Sequence, residues 1–442
     1  MARINRRRLL QLSGASAVAA GGGLASILAT GRAPAYAQAT TIHWLRWTDF
    51  VPASDQVLKE QIAPMCEKAL GIKLNLEMIN ANDIQPRITS AIQSGSGPDI
   101  FYLLGNWPQL YIDGLSDITD VAEEIGNAQG GYYDVSGLVA NDGRKWIGVP
   151  WNNIGALVTY RKSWFAEIGY SDGKFPQTWE EYRQAGKKLK ALGRPFGQTL
   201  GHTWGDAPLF WYAYLWSWGG KEVEYDGKTI ALNTKPAVES VKFAVDLWKE
   251  AHDPAGVEWD DAGNNRAFLK GAISGTNNGL SIYVEAKRKP ENYRTETGAP
   301  LWQDILHAPL PKGAGGQFNM PIPCTNSVMK YSKNQTAAKD FLRWINSKEV
   351  YGQWFTSQQG YCDGATKFWE GDPVWNLDPV MLPFRDIPYK ARLAGYAGPP
   401  GPASAGAITK YVMTDMYAKA VQGMPAEDAV KWAHAEFVKI YA

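Results

Sequence analysis

The chain has 442 residues, with 45 Lys and Arg against 44 Asp and Glu, a formal charge of +1 and 45% hydrophobic residues. A near-neutral chain without a basic face excludes nucleic acid as a partner, because phosphate binding needs clustered Lys and Arg. Past the N-terminal leader no run approaches the roughly 18–20 apolar residues of a membrane span, and this length exceeds what one core usually holds, so two domains are expected.

Residues 1–39 read as an export leader. Arg3, Arg6, Arg7 and Arg8 make a basic start without acids, and a weakly apolar Ala/Gly-rich run covers residues 9–28. Three small-x-small sites follow: Ala33-Pro34-Ala35, Ala35-Tyr36-Ala37 and Ala37-Gln38-Ala39. That order is a secretory signal peptide. Arg6-Arg7-x-Leu9-Leu10, with Arg32 near the cleavage sites, fits the twin-arginine type. Removal takes five Arg and no acid, which moves the charge from +1 to −4. A soluble periplasmic protein is expected.

The first element after the leader is a strand, residues 42–47. Val57, Leu58, Ile62, Met65 and Leu70 then mark one helical face, with Pro64 as a break or kink and Gly71 as a stop. Ile72, Leu74, Leu76 and Met78 alternate as a strand. Asn82 or Asp83 caps a helix carrying Ile84, Ile88, Ala91 and Ile92, closed by Gly95, and a strand follows at 99–103. This β-α-β-α-β order requires a parallel sheet with ligands at the strands' C-terminal ends. Residues 146–150 and 156–160 read as strands, with Pro150-Trp151-Asn152-Asn153 as the loop between them. Thr178-x-x-Glu181 is a capping box for a helix ending near Gly193. A helix opens at Pro236, residues 272–282 and 307–310 read as strands, and residues 321–329 lead to a helix carrying Ala337, Phe341 and Ile345. Two helices, 405–422 and 426–441, finish the chain. There is no internal repeat.

Several segments together resemble the family 1 extracellular solute-binding proteins of bacterial ABC sugar importers, the family of the maltodextrin receptors. They are Ser94-Gly95-Ser96-Gly97-Pro98-Asp99-Ile100, Gly148-Val149-Pro150 leading to Tyr160-Arg161-Lys162, Phe175-Pro176-Gln177-Thr178-Trp179-Glu180-Glu181-Tyr182, and Ser332-Lys333-Asn334 through Ala338-Lys339-Asp340-Phe341-Leu342. The resemblance implies an α/β, type II periplasmic-binding-protein fold of two lobes closing on a ligand. Lobe 1 is expected at 40–152 and 324–360, and lobe 2 at 153–323 and 361–442. Hinge crossings are expected near 151–155, 321–326 and 358–366. Cys324 and Cys362 would then lie on neighbouring crossings, where they could form a disulfide. The partners implied are a small carbohydrate ligand, the permease subunits of the importer and a chemoreceptor, with the binding protein itself monomeric.

A sugar presents C–H faces to aromatic rings and a hydroxyl rim to amides and carboxylates. The chain is rich in rings, with 19 Trp, 21 Tyr and 14 Phe, and the loops expected at the cleft have the required mixture. Trp47 and Asp49 end the first strand, and Asn106 and Trp107 follow the third. Trp151, Asn152 and Asn153 lie at the first crossing. Trp204 and Asp206 precede an aromatic helix. Asn278, Ser281, Asn319 and Tyr396 belong to later loops. A neutral sugar, oligosaccharide or polyol is the expected ligand. No cofactor is expected. With no C-x-x-C and only five scattered His, neither is a metal.

Two other readings stay open. An exported carbohydrate-active enzyme would need two carboxylates held ~5–10 Å apart. Its candidates, such as Glu180-Glu181 and Asp260-Asp261, read mostly as solvated helix starts or loop acids, and G-x-S-x-G and H-E-x-x-H are absent. A receptor for a charged solute, such as a polyamine, an iron complex or a phosphate ester, would want several acids or arginines in the cleft. Arg46, Arg87 and Arg266 leave room for an acidic sugar.

Overall fold

The computed structural model describes residues 40–442, so the leader expected over 1–39 lies outside them. The strands are β1 (Thr40–Trp47), β2 (Ile72–Ile79), β3 (Ile100–Leu104), β4 (Val149–Ile154), β5 (Leu157–Arg161), β6 (Gly275–Asn278), β7 (Ile305–Ala308), β8 (Ile322–Val328) and β9 (Asp363–Gly364). They form two sheets, one ordered β2-β1-β3-β8-β4-β9 and one ordered β6-β5-β7.

The expected β-α-β-α-β unit opens the first sheet. β1 runs parallel to β2 from Thr40↔Ile72 to Trp47↔Ile79, and parallel to β3 through Trp44↔Ile100. Helix Ala81–Ser94 joins β2 to β3. Its cap is Asn80 rather than Asn82 or Asp83, because Asn80 is still extended and its side chain accepts the Asn82 N–H. Gly95, at φ 65, ends the helix in the left-handed conformation that glycine adopts without penalty. The helix before β2 does not break at Pro64. A π turn, Leu58–Ile62, lies directly upstream, and the Ala63 N–H bonds to the Leu58 carbonyl; this wider turn sits where the ring of a proline meets the preceding carbonyls.

β8 inserts between β3 and β4, antiparallel to both, through Ile100↔Val328 and Val149↔Asn326. The expected loop Pro150–Asn153 is therefore part of a strand. All six residues of β4 are buried between neighbours on both sides. Pro150 is tolerated because the register shifts there, leaving a bulge where no ladder N–H is needed. The expected strand 272–282 shortens to β6, since Ser281 already opens helix Ser281–Arg288. The expected helix 405–422 divides into Pro402–Thr409 and Val412–Val421, because Tyr411 stands at φ 55 and breaks the ladder.

The second sheet anchors a separate aromatic core. Helix Trp179–Ala191 starts with the expected capping box of Thr178 and Glu181. Helix Asp206–Ser217 is buried at every position after its first, as a helix apolar on all sides must be. Trp211 stacks on Tyr417 at 4.6 Å, which ties this helix to the C-terminal helices.

Three passages of chain meet between the sheets. β4 reaches β5 through Gly155 and Ala156, and a Cβ on Gly155 would lie 2.3 Å from Ile387 Cδ1. The Asn319 amide donates to the Ala156 carbonyl, and the Arg392 N–H donates to the Asn319 carbonyl at 2.9 Å. The expected third crossing at 358–366 contains β9, which pairs with β4, the strand of the first expected crossing. The link through Ala391, bridged to Asn319, carries the chain onward.

Cys324 and Cys362 are free and buried, so the suggested disulfide is absent. Asn152 of β4 pairs with Cys324 on one side and with Gly364, two residues past Cys362, on the other. A strand thus stands between the two thiols. Two strand spacings are about 10 Å, beyond the ~7 Å limit between bridged Cα atoms.

Candidate functional site

A groove of about 430 Å³ opens at the C-terminal end of β1. One wall is Trp47, Thr48, Asp49 and Phe50 with the helix start at Asn80–Asn82, and the other is Trp204 with Asp260, Asp261 and Ala262. The first wall belongs to the β1-containing sheet and the second to the segments around the β5 sheet, so the groove lies between the two halves. A larger hollow of about 590 Å³ beside Trp179, Trp218 and Phe243 contains no residue of the first sheet. A ligand there could not draw the two halves together.

Trp47 and Trp204 meet edge to face across the groove, with ring centres 5.2 Å apart, and Phe50 lies 5.4 Å from Trp47. Trp47 is only 2% exposed, and its indole N–H has no acceptor. The Asp49 carboxylate accepts from the Val51 N–H and the Gln358 amide, both at 2.9 Å, and stands 3.6 Å from Arg46. Burial pushes the Asp49 carboxyl above its ordinary range, against the opposing pull of Arg46. Arg46 is wholly buried under the rings of Tyr102 (4.9 Å), Trp44 (5.2 Å) and Trp354 (5.9 Å).

On the far wall, Asp261 accepts the backbone N–H groups of Trp204 (3.2 Å), Gly205 (3.1 Å) and Asp206 (2.8 Å). It therefore caps helix Asp206–Ser217 from a distant part of the chain and fixes the Trp204 backbone. Burial nevertheless lifts Asp261 to about 6. Asp206 is held well above the carboxylate range, first by burial and then by the Asp261 charge. Its Oδ2 is shut off from solvent without a hydrogen-bond partner.

Of the residues expected at the cleft, Trp47, Asp49 and Trp204 line the groove, and Asp206 stands directly behind Asp261. Trp151 instead packs among Tyr351 (4.6 Å), Trp354 (4.8 Å) and Trp44 (6.0 Å). Asn152 accepts from the Tyr102 hydroxyl at 2.7 Å and Asn153 from Ser136 at 2.9 Å, both inside the sheet. Asn106 donates to Ser404 and the Ala394 carbonyl, and Trp107 is buried beside it. Asn278 and Ser281 bond each other and Asn265 in an interior network. Asn319 is a hinge link. Tyr396 packs on Trp216 and Arg392, away from the groove. For Asn152, Asn153 and Asn278 the reason is that β4 and β6 are buried strands, so their amides satisfy neighbouring strands and helices.

Sequence reading missed Asp261, whose position against a helix start 55 residues away only tertiary structure reveals. It also missed Tyr361, which is buried within electrostatic reach of both Asp49 and Asp206. Among the described residues no group of His, Cys, Asp or Glu could hold a metal ion, and no helix is long and apolar enough to cross a membrane.

Solved structures share this architecture. A maltose-bound MalE3 of T. maritima superposes with a TM-score of 0.75 at 20% identity, covering 90% of this chain and 99% of that one. A sugar transporter of Arthrobacter chlorophenolicus A6 with bound laminaribiose gives 0.74 at 20% identity, with 90% and 99% coverage. The GacH receptor of Streptomyces glaucescens, solved unliganded and with acarbose, gives 0.75 at 18% identity, with 91% and 98% coverage. At these identities the likeness establishes the fold. No curated protein sequence matches the chain. The model of one family matches residues 48–351, and the chain belongs to that family, the bacterial extracellular solute-binding proteins.

Proposed function

We propose that this protein is the exported, non-catalytic receptor of an ABC importer, and that it binds a sugar, oligosaccharide or polyol in the Trp47–Trp204 groove. The observation that carries the reading is one indole from each side of the groove, set beside carboxylates and the Asn80 and Asn82 amides. Rings suit C–H faces, and the polar rim suits hydroxyls. The maltose, laminaribiose and acarbose held by proteins of the same fold support a polyhydroxylated ligand. Micromolar binding needs about 8 kcal/mol, which several hydrogen bonds and stacked apolar area reach after ordering costs.

In this reading the two sheets mark the two lobes, and the lobe boundaries fall where the chain passes between them, at 155–156, 319–321 and near 391. A ligand touching both lobes favours the closed form, and the permease subunits read that form. Twin-arginine export to the periplasm, a monomeric state and presentation to a chemoreceptor complete the proposal. Native mass spectrometry on gently purified protein tests it, followed by calorimetry with the co-purified compound. A polyol bound one-to-one and returned unchanged supports the proposal. Hydrolysis of the compound, or a ligand without hydroxyls, rejects it.

A further inference from the structure

We propose that His202, Tyr411 and Asp415 are positioning residues: they clamp the loop that carries Trp204 and set ligand affinity through the aim of that indole. This rests on the groove being the ligand site.

The backbone of this loop is seated at both ends. Upstream, the Leu200 N–H donates to the Gly256 carbonyl at 2.8 Å, and a Cβ on Gly201 would lie 2.9 Å from the Trp259 carbonyl oxygen, so the chain rests on the segment that leads to Asp260 and Asp261. Downstream, Asp261 accepts the Trp204 N–H at 3.2 Å, and the Thr203 hydroxyl oxygen accepts the Ala207 N–H at 3.0 Å. These contacts fix the main chain and leave the ring. Trp204 is half-buried, and the ring it meets, Trp47, belongs to the other half of the molecule. Once the halves part, that contact is gone, and the aim of the Trp204 indole depends on its own loop.

The middle of the loop is held from the far end of the chain. The His202 imidazole lies flat on the Tyr411 ring, with centres 4.3 Å apart and planes 8° from parallel, and its Nε2 N–H donates to the Asp415 carboxylate at 2.7 Å. Tyr411 stands at φ 55. A bulky residue in the left-handed region costs backbone energy, and such strain persists where the surroundings impose it, most often at functional sites. Here it separates helix Val412–Val421 from the helix before it and places Asp415 in the first turn, so that the Tyr411 ring and the Asp415 carboxylate meet the same imidazole. Burial, and after it the Asp261 charge, pushes the Tyr411 hydroxyl above its ordinary value, so this tyrosine lies within electrostatic reach of the carboxylate that holds the Trp204 backbone. An exposed ion pair adds little stability, and a strained tyrosine subtracts some. The arrangement is therefore explained by what it orients rather than by what it stabilises.

The test uses the whole protein labelled with fluorotryptophan. The fluorine resonance of Trp204, assigned by its loss in Trp204→Phe, should broaden or split in His202→Ala, Tyr411→Gly and Asp415→Ala, each checked for folding by thermal melt. Tyr411→Gly removes the ring at a backbone angle that glycine adopts freely, so it decides if His202→Ala does not fold. Asp415→Asn, which keeps an acceptor for the imidazole, should retain the wild-type line. Calorimetry with maltose, laminaribiose and the co-purified compound gives the second readout. His202→Ala should weaken binding roughly three- to tenfold, the cost of ordering one freed side chain, and should weaken it no further in a Trp204→Ala background. A Trp204 resonance unchanged in the folded variants, or a loss that adds fully to that of Trp204→Ala, overturns the clamp. Wild-type binding by Trp204→Ala overturns the groove reading and the role in affinity with it, while the resonance still decides whether the loop is clamped.

Discussion

Replacing Trp204 with Ala separates ligand capture from folding. Trp204 is half-buried, and its backbone N–H would still be held by Asp261. The substitution removes the edge-to-face contact with Trp47, at 5.2 Å, worth about 0.5–1.5 kcal/mol. It also removes the platform for a sugar face. At ~25 cal/mol per Å², roughly 60 Å² of lost apolar contact adds about 1.5 kcal/mol. Only the lost ligand contact, about 1.5 kcal/mol, counts toward affinity and weakens binding roughly tenfold, since each 1.4 kcal/mol is tenfold. Stability should fall by the value of the ring contact with Trp47, about 0.5–1.5 kcal/mol, whereas Trp47→Ala, at a core position, should cost about 3–5 kcal/mol. Calorimetry with the co-purified ligand and thermal melts by circular dichroism measure the two effects. A Trp204→Ala protein that binds within threefold of wild type would refute the placement of the ligand against Trp204.

Other consequences are equally direct. Burial lifts the Cys66 and Cys324 thiols to about 12 and Cys362 well above its ordinary value. Ellman titration of the native protein without reductant should therefore find no reactive thiol, and the unfolded chain should show three. Burial lowers His252 and His307 to about 3, so the native state keeps both imidazoles neutral while the unfolded chain protonates them near 6.5. Their contribution is complete above pH ~6.5 and is lost as pH falls toward 3, by up to roughly 5 kcal/mol each at ~1.4 kcal/mol per pH unit. Urea midpoints should fall across that window, and His252→Phe should flatten the decline. Gly155→Ala forces a Cβ within 2.3 Å of Ile387, so it should cost about 1–3 kcal/mol by overpacking. It should also reduce the ligand-driven contraction seen by small-angle scattering.

Much of the first sheet was legible, because the alternation from Ile72 to Met78 and the glycines after each helix are local signals. The capping box at Thr178 was legible for the same reason. β4 was not: Pro150 and two asparagines look like a loop, and only β8, from 170 residues later, makes the segment a strand. Tyr411 carries no mark of its left-handed conformation, so one long helix was the natural reading. At the groove, composition pointed to Trp47, Asp49 and Trp204, which line it, but could not say which polar residues face inward to their own sheet. Asn152 and Asn153 satisfy Tyr102 and Ser136, partners invisible in a one-dimensional pattern. Asp261 looked like a solvated loop acid until a helix start was folded against it. Arg46 did carry a signal, a charge on the same strand face as Trp44 where burial is expected, and that signal marks a partner such as Asp49.

The insertion of β8 has a consequence for how the molecule is made. The strand that joins β3 to β4 arrives only after the whole second sheet has been synthesised. Neither β3 nor β4 can complete its hydrogen bonding while the nascent chain is shorter than about 330 residues. The amino-terminal half must wait, partly open, for the carboxy-terminal half, and closing so long a loop slows folding. Fragments ending before β8 should thus be caught by quality-control proteases rather than persist as a free-standing half.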